Sequence, residues 1–152
     1  MKNSNSPTRT AAPSAYGFHG VLRERDFGRA VEQVTAALKS EGFGVLTEID
    51  VKATLKTKID VDVLPQIILG ACRPPLAHAA MQAAPSIAAL LPCNVVVRST
   101  GDGSTVVEAI DPKAMIEMGV QGLEGGDHPA LAEVANDAHA RISAALDSLG
   151  GN

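Results

Sequence analysis

Aromatic residues are nearly missing from this sequence, and their scarcity excludes several kinds of binding site. The 152 residues include no tryptophan, one tyrosine and three phenylalanines. Stacking platforms for single-stranded nucleic acid and aromatic cages for quaternary ammonium groups need more ring faces than this. A surplus of positive charge is missing as well, because the formal net charge is −4. The composition therefore argues against a nucleic-acid partner, whose phosphates require a basic surface.

Cysteine is scarce too, which limits what sulfur can do in this chain. Cys72 and Cys93 are too few for a disulfide scaffold or a four-cysteine zinc site. They allow one disulfide, half of a mixed metal site, or two buried thiols. The amino terminus is polar and lacks the apolar core of a secretory signal. We therefore expect a cytoplasmic protein with reduced thiols.

Charged side chains are absent from residues 74–97, a stretch about long enough to cross a bilayer. Four prolines interrupt it: Pro74, Pro75, Pro85 and Pro92. A membrane-spanning helix would leave the backbone groups freed by these prolines without partners in lipid. The sequence therefore predicts buried protein core here, and no membrane span.

Apolar periodicity predicts strands and helices in the order β-α-β-β-α-β-β-α. Residues 27–38 repeat apolar side chains at helical spacing after Asp26, a good N-cap. Residues 100–104, Thr-Gly-Asp-Gly-Ser, predict a tight hairpin turn. Because only some strands are separated by helices, we predict an α+β fold. Its form is a two-layer sandwich with a mixed or mostly antiparallel sheet and helices packed on one face.

Composition also suggests how the chain is divided. Residues 1–14 are polar and predict a disordered tail, and residues 15–118 form the α+β domain. Residues 119–126 are a glycine-rich linker, and residues 127–149 form an amphipathic C-terminal helix.

The two cysteines lie at the junctions of the apolar stretch, since Cys72 ends one predicted strand and Cys93 begins the next. A single straight crossover helix would make these strands parallel and separate the thiols by roughly 15–20 Å. A break at Pro85 instead lets one helix run out and a shorter segment return, so that Cys93 starts near Cys72. We favour this second route because Pro85 would separate its two segments and Pro92 would end the second.

Three kinds of chemistry are open if the thiols are close. They could form a redox pair, or bind Cu(I) or Zn(II) together with His78. One could also be a nucleophile, because Arg73 and the start of a helix would favour the thiolate. Against these stands the common role of cysteine as a small buried hydrophobe. No acid–base pair stands out, so we predict no catalytic residue.

Four motifs in a fixed order resemble the domain-of-unknown-function 302 (DUF302) family. They lie at residues 41–56, 68–77, 91–97 and 110–112. The resemblance covers residues 16–118 and implies a small α+β protein that forms homodimers, with no established activity. The tail after Gly119 falls outside it, and its helix is expected to cover the sheet or to pack against a second subunit.

The same resemblance implies which residues belong to the two signature motifs of the family. Arg73 stands where the family commonly has asparagine, which changes the charge beside the first thiol. The residues that match the motifs are Cys72, Pro74, Pro92, Cys93 and Asn94.

Two functions follow as hypotheses. The first is a non-catalytic homodimeric binding or interaction module in which the cysteines are merely packed. The alternative is a thiol-based site in which Cys72 and Cys93 bind a soft metal or act in redox chemistry. A small ligand or a soft metal is a possible partner, but the sequence does not name a cofactor.

Overall fold

Six strands form one sheet in the computed structural model, which describes residues 12–13, 16–121 and 128–150. The strands are β1 (Ala12–Pro13), β2 (Gly17–Leu22), β3 (Gly44–Asp50), β4 (Gln66–Cys72), β5 (Cys93–Ser99) and β6 (Thr105–Ile110). They lie in the order β1-β2-β6-β5-β4-β3, and each neighbouring pair is antiparallel.

The helices complete a two-layer arrangement. They are α1 (Phe27–Ser40), α2 (Val51–Ile59), α3 (Pro74–Ala83), α4 (Pro112–Gln121) and α5 (Pro129–Leu149), with a short 3₁₀ helix at Pro85–Leu90. α5 packs against α1, α3 and α4, and this layer contacts the sheet through α1 on β5 and α5 on β2. The predicted α+β two-layer sandwich is therefore confirmed.

The main core lies between this helical layer and the sheet. Leu38 of α1, Leu69 of β4 and Val95 of β5 are fully buried there, as are Ile142 and Leu146 of α5. Burial of each such side chain contributes about 1.5–3 kcal/mol before entropy is counted. α5 thus covers the sheet, which is one of the two roles expected for the C-terminal helix.

α1 forms where the sequence predicts it, because both of its ends are capped. The Asp26 carboxylate accepts a hydrogen bond from the backbone N–H of Arg29 at 3.0 Å. At the other end Gly42 has a φ of +81°, and the Phe43 N–H donates to the Leu38 carbonyl. β3 begins directly after this turn.

The connection between β4 and β5 turns back on itself. Pro74 and Pro75 occupy the first turn of α3, and α3 ends before Pro85, which begins the 3₁₀ helix. β5 then runs antiparallel to β4 and starts at the end of the sheet where β4 finishes. The route with a break at Pro85 is therefore confirmed.

β3 is the outermost strand on its side of the sheet and carries a β-bulge. Val45 lies opposite Ala71, whereas Thr47 lies opposite Gly70, so one extra residue is inserted between them. None of the seven residues of β3 is buried. α2 follows directly, and it too has no buried residue.

Several predicted boundaries shift, and others fall on residues that the structure does not describe. α4 continues to Gln121, inside the predicted linker, and β1 lies inside the predicted disordered tail. The rest of that tail, residues 1–11 and 14, and linker residues 122–126 lie outside the described residues. Within the described ranges, no helix has the length and hydropathy needed to span a bilayer.

Candidate functional site

Cys72 and Cys93 lie at the same end of the sheet but do not face each other. The residue directly opposite Cys93 is Ala71, and Cys72 is one position further along β4. Consecutive residues of a strand point to opposite faces, so the two side chains start in different directions. The sulfurs are not close, and both cysteines are free. The cysteine pair that the returning chain would allow does not form.

A small apolar cavity lies beneath this end of the sheet, with a volume of about 40 Å³. Cys93 borders it from β5 and Cys72 from the end of β4. α3, α4 and α5 close it with residues that include Leu76, Met115 and Ala138. Ligand sites for molecules of ordinary size have roughly 300–1,000 Å³. The cavity is therefore a packing gap and too small for a substrate.

Burial keeps both thiols protonated at neutral pH. It raises the pKa of Cys93 to about 11, with the charge of a Cys72 thiolate as a smaller cause. Burial also raises the pKa of Cys72, which is less deeply placed. Nucleophilic attack and metal binding both require the thiolate. The expectation that Arg73 and a helix start favour the thiolate is therefore wrong for Cys72.

The start of α3 explains why it does not stabilise an anion. Pro74 and Pro75 have no N–H group, and the next two N–H groups, of Leu76 and Ala77, donate to the Arg73 carbonyl. A helix start attracts anions through its free N–H groups, and these are either missing or already bonded here.

Arg73 lies at the start of α3, and its side chain reaches the C-terminal end of α1. Its Nε lies 2.9 Å from where a Cβ on Gly42 would be, so the side chain crosses the backbone just beyond α1. A cation at this place is favoured by the negative end of the α1 dipole. Arg73 Nε is buried and has no hydrogen-bond partner among the described residues.

The remaining predicted site residues are not gathered at the cavity. His78 is exposed on α3, and Pro74 is exposed at the start of that helix. Asn94 is exposed and lies opposite Gly70 on the face of the sheet away from the helices. Of the candidate residues, the cavity brings together Cys72, Arg73, Pro92 and Cys93. Within the described ranges, no three His, Cys, Asp or Glu side chains are grouped to hold a metal ion.

Sequence reasoning missed the face of the sheet that carries none of α1, α3, α4 and α5, which we term the open face. Ile49, Ile68 and Val96 lie side by side there across three strands. Arg98 Nη2 donates to Glu108 Oε1 at 2.8 Å beside this row. Strand alternation assigns the following residues to the open face: His19, Val21, Thr47, Ile49, Gln66, Ile68, Asn94, Val96, Arg98, Val106 and Glu108.

A signal for the open face was present in the sequence. Residues 67–69 of β4 and 95–97 of β5 are unbroken apolar runs. Antiparallel strands with one solvated face normally alternate apolar and polar residues, whereas continuous runs are typical of strands covered on both faces. The runs therefore indicate a second buried face, which becomes visible only when the helices are known to lie on one side.

The thiol geometry predicts slow alkylation of the folded protein. With a pKa of about 11, only about one Cys93 side chain in ten thousand is a thiolate at pH 7. We expect iodoacetamide to modify Cys72 before Cys93 at pH 7, both more slowly than free cysteine, and both faster as the pH rises. Mass spectrometry of Cys72→Ser and Cys93→Ser separates the two rates. Modification of Cys93 at the rate of free cysteine at pH 7 would contradict its burial.

Comparison with known proteins gives a family and a similar structure. The family model described as "Domain of unknown function DUF302" matches residues 19–149. A solved structure, an uncharacterized conserved DUF302 protein from Bacillus stearothermophilus, has 28% sequence identity and a TM-score of 0.75. The alignment covers 88% of this chain and 98% of that one. No curated protein matches. The family match includes α5, so the resemblance ends later than residue 118.

Proposed function

The chain belongs to the DUF302 family, and from this premise we propose that it is a non-catalytic interaction module that forms a homodimer through its open face. The observation that carries the proposal is the apolar row Ile49, Ile68 and Val96 on the open face, in which no residue is fully buried within the subunit. Ile49 is 48% exposed. Covering such a row removes apolar surface from water, which stabilises association.

A second copy of the chain is a suitable occupant because the charges of the open face are self-complementary. Arg98 and Glu108 lie next to each other with opposite charge. In a two-fold arrangement each surface meets itself, so a neighbouring cation and anion can exchange partners between subunits. A face with charges of a single sign would repel its own copy.

The exposed edge of β3 is a poorer place for association. A free strand edge can pair with another strand, and proteins block this with bulges and charged side chains. β3 has both, since its pairing is interrupted between Val45 and Thr47 and it carries Glu48 and Asp50. We therefore assign the interface to the face of the sheet and not to its edge.

Thiol chemistry remains the alternative function, with less support. Cys72 and Cys93 are apart, and burial raises the pKa of each. Two protonated thiols with no third ligand grouped beside them among the described residues are poor partners for Cu(I) or Zn(II). The free thiols suit the cytoplasm, where we place the protein. Stoichiometric metal uptake that is lost in Cys93→Ser would favour the alternative.

Sedimentation tests the homodimer. At micromolar concentration we expect twice the subunit mass of 15.7 kDa. Val96→Asp should sediment as a monomer, because it places a carboxylate at the β5 end of the apolar row. Val61→Asp is the matched control, since Val61 is 41% exposed and lies outside the sheet. It should remain a dimer.

The outcome is decided by these two variants together. Circular dichroism establishes that both variants are folded before they are compared. A wild-type monomer at micromolar concentration would overturn the proposal. A wild-type dimer that Val96→Asp leaves intact would place the interface on another surface.

A further inference from the structure

We propose that a groove between α1 and β3 binds a short apolar peptide with free ends, whose ammonium lies between Glu32 and Glu48 and whose carboxylate meets Lys39. The groove is lined by α1 from Phe27 to Lys39, by Glu48 and Asp50 of β3, by Lys52 at the start of α2, and by Ile67. It lies on the helical side of the sheet, away from the open face, and is complete within one subunit.

The groove is large enough for a small ligand. Its volume is about 660 Å³, and the usual range for ligand sites is roughly 300–1,000 Å³. A second groove of about 230 Å³ shares Thr35 and Lys39 with it and continues to Gly44 and Val45. An open channel therefore follows most of the length of α1. The packing gap beside Cys93, at about 40 Å³, offers no such room.

The groove exists because β3 presents charged side chains to the helical layer. Glu48 lies opposite Leu69 in the β3–β4 pairing, and Asp50 lies opposite Ile67. Directly opposed residues share a face of the sheet. Leu69 and Ile67 are buried in the core on that face, whereas the two carboxylates beside them are exposed. A channel is therefore left open between α1 and the edge strand.

Two carboxylates lie at the same level across this groove. Residues 41–43 join α1 to β3, so the chain reverses there and the distance from this turn sets which residues lie level. Glu48 is roughly 13 Å beyond Gly44 along the strand, and Glu32 is roughly 12 Å before Ser40 along the helix. Both carboxylates are exposed and have no ion pair within the described part of the chain. An ammonium between them would relieve the repulsion of like charges.

Lys39 provides the opposite charge towards one end of the groove. It is seven residues after Glu32, close to two helical turns, so it lies on the same side of α1 and roughly 10 Å along the axis. Lys39 is exposed and has no carboxylate partner among the described residues. Three residues of extended peptide also span roughly 10 Å. The spacing therefore suits a tripeptide with a free ammonium at one end and a free carboxylate at the other.

The rest of the lining favours an apolar ligand of low charge. Val31 of α1 and Ile67 of β4 contribute aliphatic surface, which a leucine-sized side chain would remove from water. The Asp50 carboxylate is already engaged, since it accepts a hydrogen bond from the Ala53 N–H at 2.9 Å. A nucleotide or another phosphate ester is a poorer occupant, because its charge would be repelled by Glu32 and Glu48.

An NMR titration of the isotope-labelled full chain with alanyl-leucyl-alanine tests the proposal. We expect saturable shifts of backbone amide signals from α1 and β3, with a dissociation constant of roughly 0.1–1 mM. The N-acetylated peptide lacks the ammonium, and the C-amidated peptide lacks the carboxylate. Each should bind about fivefold more weakly than the free peptide, because each loses one exposed charge pair.

Variants then assign each peptide charge to its partner. A protein with both Glu32→Gln and Glu48→Gln should bind the free peptide about fivefold more weakly and should no longer distinguish it from the acetylated peptide. Lys39→Gln should instead no longer distinguish the free peptide from the amidated one. Glu133→Gln, exposed on α5 outside the groove, is the matched control and should bind as the wild type does. Circular dichroism establishes that every variant is folded.

Three results would overturn the peptide site. They are an absence of saturable shifts at peptide concentrations up to about 10 mM, shifts that fall outside α1 and β3, and an acetylated peptide that binds the wild type as well as the free peptide does. Because one subunit contains the whole groove, a monomer should bind the peptide as a homodimer does. The peptide site and the homodimer are therefore tested separately, and either can fail without the other.

Discussion

Gly17→Ala is expected to lower the free energy of unfolding by about 3 kcal/mol. A Cβ at this position would overlap the carbonyl oxygen of Ala109 and the backbone nitrogen of Asp111. Both are backbone atoms next to the end of β6, so no side-chain rotation relieves the overlap. β2 would have to move away from β6 where Gly17 lies opposite Ile110. Urea unfolding followed by circular dichroism measures the loss.

Gly44→Ala is the matched control for this prediction. Gly44 is also the first residue of its strand, and the nearest atom to its added Cβ, the Cys72 carbonyl oxygen, is 4.0 Å away. We expect a change within about 0.5 kcal/mol. Equal stabilities of Gly17→Ala and Gly44→Ala would mean that β2 does not approach β6 as closely as described.

Ile142→Ala is expected to cost about 3–4 kcal/mol, because it leaves a cavity in the main core. Ile142 is fully buried on α5, the helix that contacts α1, α3 and α4. Loss of the Ile142 side chain therefore loosens the packing of several helices at once. The midpoint of urea unfolding should fall while the slope of the transition stays the same, if the substitution changes only stability.

Met118→Ala is the comparison for Ile142→Ala. It also truncates a long apolar side chain on a helix, but Met118 is 60% exposed. Its expected cost is within about 0.5 kcal/mol. If Ile142→Ala were no more costly than Met118→Ala, α5 would not be part of the core and would be free to pack against another subunit.

The helices and the turn of the chain between β4 and β5 could be predicted from sequence because caps, apolar spacing and prolines act on neighbouring residues. α1 follows from an N-cap aspartate and a stripe that buries Ala30, Val34 and Leu38. The return of the chain from β4 to β5 follows from Pro85, which cannot continue α3. In each case a few neighbouring residues decide the backbone.

The candidate site was less predictable because it depends on strand register. A shift of one residue decides whether Cys93 meets Cys72 or Ala71, and alternation within one strand does not determine its position relative to the next. The open face was missed for a related reason. The apolar run at 95–97 shows that both faces of β5 are apolar, but only the helix positions show that Val96 is left uncovered.

The bulge in β3 has a consequence for how many copies can assemble. Pairing of β3 with the opposite edge of another copy leaves a fresh edge on every added copy, so such growth has no natural end. The face-to-face homodimer that we propose would use up the surface through which it forms, so its assembly would close at two subunits. The extra residue between Val45 and Thr47 interrupts the pairing of β3, and an interrupted edge is a poor template for such open-ended growth.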